Sequence, residues 1–231
     1  MATRLDIGEQ EQLDQLKDFW KAYGNLITWV LILALGGFAA FNGWQWLQRD
    51  RAQKAAVLYE QLDKAVQAGD AERTTRVFTD LRERYGSTTY AEQAGLAAAK
   101  LLFGKGQLDA ARANLQWVAE NANQGEYRVI ANLRLAGLLL DEKKYEEALK
   151  QLPADAPHAF AGLVADRRGD ILNAQGKAEE AKAAYRTAWE VLPPTIDYRR
   201  LVEAKLTALG APPNAGVPVL IPAPVPGGAS Q

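Results

Sequence analysis

From Ala22 to Gln48 the chain carries no charged side chain, whereas both flanks are charged every few residues. Within that interval Leu26 to Leu47 reads LITWVLILALGGFAAFNGWQWL. As a helix of about 22 residues at ~1.5 Å rise it reaches about 33 Å, enough for a hydrocarbon core of about 30 Å. Trp29 stands near its start and Trp44 and Trp46 near its end. Indole rings settle at the membrane–water boundary, so these three are the expected membrane-interface anchors of a helix crossing a lipid bilayer. Residues 25–48 are therefore read as a single transmembrane helix.

Residues 1–24 form a polar tail with an acidic run, Glu9, Glu11, Asp14 and Asp18, and a short apolar stripe at helical spacing, Leu13, Leu16, Phe19 and Trp20. Leu26 to Leu35 could serve as the apolar core of a cleaved signal, with Gly37-Phe38-Ala39 as small residues behind it. The run continues to Leu47 and the preceding tail is acidic, which favours an uncleaved signal-anchor. Orientation is weakly marked. Lys17 and Lys21 precede the span, while Arg49, Arg51, Lys54 and Lys64 follow it, so a bare count of positive charge favours a cytoplasmic body.

The chain holds 27 basic against 28 acidic side chains, which gives no electrostatic basis for a nucleic-acid partner. It contains no cysteine, which excludes disulfides, thiolate metal sites and cysteine nucleophiles.

From Arg51 to Leu209 the composition favours helix, and apolar positions recur every three or four residues. Short breakers punctuate them: Gly69-Asp70, Gly86-Ser87, Gly104-Lys105-Gly106, Asn123-Gln124-Gly125, Gln175-Gly176 and Pro193-Pro194. Three segments align, KGQLDAARANL from Lys105, EKKYEEALKQL from Glu142 and QGKAEEAKAAY from Gln175. With Ala111, Ala148 and Ala181 in register, Ala99, Ala136 and Gly169 fall twelve residues upstream and Leu102, Leu139 and Leu172 nine upstream. Leu115, Leu152 and Tyr185 fall four downstream. A weaker copy places Thr74 and Phe78 in the same roles, so the copies are spaced by 37, 37 and 33 residues. Small residues let two helices approach closely while large ones fill the seam. The pattern resembles the tetratricopeptide repeat, a helix–turn–helix unit of about 34 residues.

No catalytic constellation emerges. The single His158 follows the linker Pro153 to Pro157 and is read as a surface residue. Asp166 and Asp170, four apart with Arg167 and Arg168 between them, could hold a cation or work as an acid–base pair, but are read as fixing hairpin packing. Gly104-Lys105-Gly106 is read as a turn, and Trp117 and Trp189 as core or seam. The chain is not expected to be an enzyme, and neither a cofactor, a metal nor a small-molecule substrate is expected. Function should come from surface, on the concave face lined by the first helix of each hairpin. The candidate partner-binding groove is Leu96, Lys100 and Phe103, then Ile130, Leu133, Arg134 and Leu140, then Leu163, Asp166 and Asn173.

Ala211 to Gln231 has six prolines and no charge, so residues 210–231 are expected to form a disordered, Pro-rich tail. The fold class is thus all-α: one transmembrane helix, a tetratricopeptide-like solenoid of about four hairpins over 51–209, and a disordered end.

An acidic tail ending in KDFWKAYGN, a membrane helix closing in GWQWLQ and a degenerate repeat body resemble the YfgM-type ancillary SecYEG translocon subunit family. The matching body segments are YRVIANLRLAGLLLDEKKYEEALKQL from Tyr127 and LVADRRGDILNAQGKAEEAKAAY from Leu163, with Ala165 to Asp170 the most family-specific part. The resemblance spans roughly Glu9 to Leu209. It implies a bacterial inner-membrane protein with a cytoplasmic N terminus and a periplasmic repeat domain. The implied partners are the SecYEG translocon and a membrane-anchored periplasmic chaperone of the prolyl-isomerase type, to which newly translocated chains are passed. A periplasmic scaffold for envelope assembly or cell division is the alternative that the same repeats would allow.

Overall fold

The structure is a computed structural model and describes residues 7–213; the Pro-rich segment 214–231 lies outside the described residues. Those residues form helices and turns. In chain order the helices are α1 (Ile7–Gln67), α2 (Ala71–Tyr85), α3 (Thr89–Gly104), α4 (Leu108–Asn121), α5 (Gly125–Asp141), α6 (Tyr145–Gln151), α7 (His158–Ala174), α8 (Ala178–Val191) and α9 (Tyr198–Ala208). Two compact units divide the chain, Met1–Lys54 and Ala55–Gln231.

In the first unit, α1 includes the uncharged stretch. Among the described residues it is the one helix long and apolar enough to cross a membrane. Leu33, Leu35, Phe38 and Phe41 are exposed on it, as are Trp29, Trp44 and Trp46. Its polar side chains close on its own backbone: Thr28 Oγ1 donates to the Gly24 carbonyl at 2.7 Å and Asn42 Nδ2 to the Phe38 carbonyl at 2.9 Å. Such self-satisfaction is what an apolar solvent demands of a polar group.

In the second unit the helices pair as hairpins, and each core is shared with the next first helix. Ala55 and Leu62 of α1 pack with Phe78 and Leu81 of α2 and Ala94 and Ala98 of α3. Leu115 and Val118 of α4 join Leu96 and Ala99 of α3 to Ala131 and Leu135 of α5. Ala148 of α6 sits between Ala136 and Leu139 of α5 and Ile171 of α7. Finally Ala181, Tyr185 and Ala188 of α8 join Leu172 of α7 to Val202 and Leu206 of α9. No hairpin buries its apolar face alone, which is the physics of a stacked repeat. α9 covers the last core among the described residues.

The register read from the sequence is the register of burial. Thr74, Ala111, Ala148 and Ala181 are all fully buried. Five residues before each of them the backbone turns left-handed: Gly69 (φ 68°), Gly106 (φ 75°), Lys143 (φ 62°) and Gly176 (φ 78°). At each turn the following amide reaches back across the end of the helix, as in Gln107 N to the Leu102 carbonyl (2.9 Å) and Lys144 N to the Leu139 carbonyl (2.8 Å). This closure satisfies carbonyls that the helix end leaves open, and it needs a residue that tolerates positive φ. α2 and α3 begin on side-chain caps as well, with Asp70 accepting from Arg73 N (2.9 Å) and Thr88 from Ala91 N (3.4 Å).

Candidate functional site

The first helices α3, α5 and α7 lie side by side, and between them opens a cavity of about 400 Å³. Its walls are Ala99, Lys100 and Phe103 of α3, Leu115 of α4, Arg134, Gly137, Leu138 and Asp141 of α5, and Arg167 of α7. On α5 the lining residues recur at three, four and seven positions, so they form one stripe of one helix. Gly137 opens room for its neighbour across the cavity: a Cβ there would lie 3.5 Å from Arg167 Nη1. Phe103 is half-exposed, an apolar ring offered to solvent.

Three cations face this space. Arg134 is exposed, and the partial burial of its guanidinium pulls its pKa below the ordinary value. Its Nη1 donates to the Leu96 carbonyl at 3.0 Å. Lys100 is exposed on the rim. Arg167 stands 4.0 Å from Asp170, one turn along its own helix.

Of the groove candidates, the cavity brings together Lys100, Phe103 and Arg134. Leu96 is buried in the α3–α4–α5 core, and only its carbonyl meets the site, through Arg134. Ile130 packs against that same core, and Leu133 and Leu140 against the α5–α6–α7 core. Leu163 is half-buried, and Asn173 is exposed near the end of α7; neither lines the cavity. Asp166 is turned away and buried at 1% exposure. One residue along a helix is a rotation of about 100°, so Arg167 and not Asp166 looks into the cavity. Ala99, Leu115, Gly137, Leu138, Asp141 and Arg167 were not among the expected groove residues. The α5 stripe Arg134, Gly137, Leu138, Asp141 was the legible signal for three of them.

Asp166 and Asp170 form a separate lock. Lys205 Nζ of α9 donates to both oxygens of Asp166 (2.9 and 2.8 Å) and to Asp170 Oδ1 (2.6 Å). The Tyr198 hydroxyl donates to Asp166 Oδ2 at 2.6 Å and the Tyr185 hydroxyl to Asp170 Oδ1 at 2.8 Å. The place a metal ion or a proton-transfer partner would need is filled by the Lys205 ammonium, and the pair ties α7, α8 and α9 together. His158 is exposed at the first position of α7. Trp117 meets Phe78 edge-on at 5.5 Å, and Trp189 lies under Arg199 at 4.0 Å, so both are seam residues.

Residues 17–211 match the tetratricopeptide repeat-like domain family. The chain is similar to the ancillary SecYEG translocon subunit of Neisseria gonorrhoeae (strain ATCC 700825 / FA 1090), 33% identical over 210 residues, which are 90% of this chain and 100% of that one. It is also similar to the ancillary SecYEG translocon subunits of Escherichia coli (strain K12), 29% identical over 79% of this chain and 85% of that one, and of Haemophilus influenzae (strain ATCC 51907 / DSM 11121 / KW20 / Rd), 29% identical over 79% and 89%.

Proposed function

The chain belongs to the tetratricopeptide repeat-like domain family and, within it, to the ancillary SecYEG translocon subunits, and on that premise we propose that it is a non-catalytic interaction protein of the bacterial inner membrane that associates with the SecYEG translocon. Residues 25–48 of α1 cross the bilayer, with Trp29 at one boundary and Trp44 and Trp46 at the other. From the family resemblance, residues 1–24 are assigned to the cytoplasm and the repeat domain 51–209 to the periplasm. The small excess of positive charge after the span does not oppose this, since long domains cross a membrane largely regardless of flanking charge. There the α3–α5–α7 face receives newly translocated chains and passes them to a membrane-anchored chaperone of the prolyl-isomerase type. The observation that supports this reading best is the open cavity with its exposed Phe103, a binding surface in a chain whose carboxylate pair is occupied by Lys205.

Two measurements test it. Protease added to spheroplasts should digest the repeat domain, and protection would overturn the topology. A photo-crosslinking residue at Phe103 should capture a stalled translocating chain, whereas one at Arg186 on the exposed side of α8 should not. Equal capture from both sites would remove the α3–α5–α7 face from the mechanism.

A further inference from the structure

The guanidinium of Arg134, on the exposed side of α5, has no counter-ion among the described residues. Its only hydrogen bond among the described residues is to a backbone carbonyl, Leu96, at 3.0 Å, and no carboxylate there stands within ion-pair distance. A carboxylate brought to an unpaired guanidinium makes charge-assisted, bidentate hydrogen bonds that the neutral backbone carbonyl does not supply. Lys100 likewise has no ion pair among the described residues. Arg167 has Asp170 only at 4.0 Å, and that carboxylate already accepts from Lys205 and Tyr185. Against these three cations the cavity wall holds one acid, Asp141. Phe103 and Leu138 supply an apolar surface beside the charges.

Resting on the binding role given above and deepening it, we infer that the α3–α5–α7 cavity selects an acidic, apolar segment of a partner polypeptide, in which a carboxylate side chain lies beside a large apolar one. The carboxylate pairs with Arg134 between Lys100 and Arg167, and the apolar side chain lies on Phe103 and Leu138. Residues 214–231 of this chain contain no acidic side chain, so they do not complement the three cations.

The test uses the full chain in neutral detergent and three rhodamine-labelled, end-blocked octapeptides in which leucine alternates with glutamate, glutamine or lysine. Fluorescence polarisation should show the glutamate peptide binding about tenfold tighter than the glutamine peptide, and the lysine peptide not saturating. The preference should shrink as NaCl rises to about 0.5 M. Arg134→Gln should weaken the glutamate peptide about tenfold and leave the glutamine peptide unchanged. If Arg134→Gln loses its helical circular dichroism, Lys100→Gln at the exposed rim carries the same comparison with a severalfold loss. Equal affinity for the three peptides, or no binding of any, overturns the inference. So does displacement of the glutamate peptide by an equimolar peptide of residues 214–231, which would assign the cavity to the chain's own end. Self-association lost in Arg134→Gln would assign it to a second copy, and displacement by phosphatidylglycerol vesicles would assign it to lipid; either overturns it too. If the peptides fail while Phe103 still captures translocating chains, the charge selection alone falls; if Phe103 captures nothing, the binding role falls with it.

Discussion

The ring of Tyr185 occupies the space that any side chain at position 169 would need. A Cβ on Gly169 would lie 2.5 Å from both Cδ1 and Cε1 of that ring. The two positions are the small site and the large site of one repeat, where the two preceding copies pair Ala99 with Leu115 and Ala136 with Leu152. The last hairpin exchanges alanine and leucine for glycine and tyrosine, and the added ring carries the hydroxyl that reaches Asp170.

Gly169→Ala should therefore destabilise the repeat domain by about 2 kcal/mol, because the ring is rigid and lies between α7 and α8. Tyr185→Leu in the same chain should recover part of the loss by restoring the volume balance of the other repeats. Urea denaturation followed by circular dichroism on the single and double variants measures the coupling. Purely additive losses would show that the two sites do not share the space.

Lys143 holds φ 62° at the turn where the equivalent residues are Gly69, Gly106 and Gly176. A β-carbon in that conformation costs about 1 kcal/mol, part of which glycine returns as unfolded-state entropy. Lys143→Gly should raise stability by about 0.5 kcal/mol, and Gly106→Lys should lower it by a similar or larger amount. Thermal melts of the two variants should move in opposite directions.

Tyr185 and Tyr198 titrate above the ordinary phenol range. Burial disfavours each phenolate first, and the hydrogen bonds to Asp170 and Asp166 hold the neutral forms in place. The unfolded chain therefore loses these protons at lower pH than the folded one. The stability they contribute is fully present below about pH 10 and is lost as pH rises from there toward the folded-state values. In Tyr185→Phe/Tyr198→Phe the neutral-pH stability should fall by about 2 kcal/mol, while its decline above about pH 10 should become shallower. Urea titrations at stepped pH read both quantities, and parallel curves would contradict the account.

Lys205→Met removes the cation from Asp166, which is buried, and from Asp170, which is half-buried. Leaving a buried carboxylate unpaired should cost about 3 kcal/mol. Asp166→Asn combined with Lys205→Met should cost less than the sum of the singles, because the double variant no longer leaves the buried carboxylate of Asp166 unpaired. A double-mutant cycle by urea denaturation decides it, and strict additivity would mean that the ion pair is not the lock between α7 and α9.

The sequence by itself determined the helices, the hairpin register and the one long apolar helix. Each depends on local or periodic information: the spacing of Ala111, Ala148 and Ala181, the glycines that can turn left-handed, and the uncharged run from Ala22 to Gln48. It also placed Lys100, Phe103 and Arg134 on the first-helix face that the cavity occupies. It did not separate Asp166 from Arg167, which are adjacent in the chain and face opposite environments. That separation depends on the rotation of α7 about its axis, set when Gly169 meets Tyr185 and when α9 brings Lys205 and Tyr198 from more than thirty residues away. Nor does spacing show that Arg134 lies beside the Leu96 carbonyl with no carboxylate partner among the described residues. Periodicity fixes which face of a helix is apolar; which charge stays unpaired is decided only when helices from different repeats are set side by side.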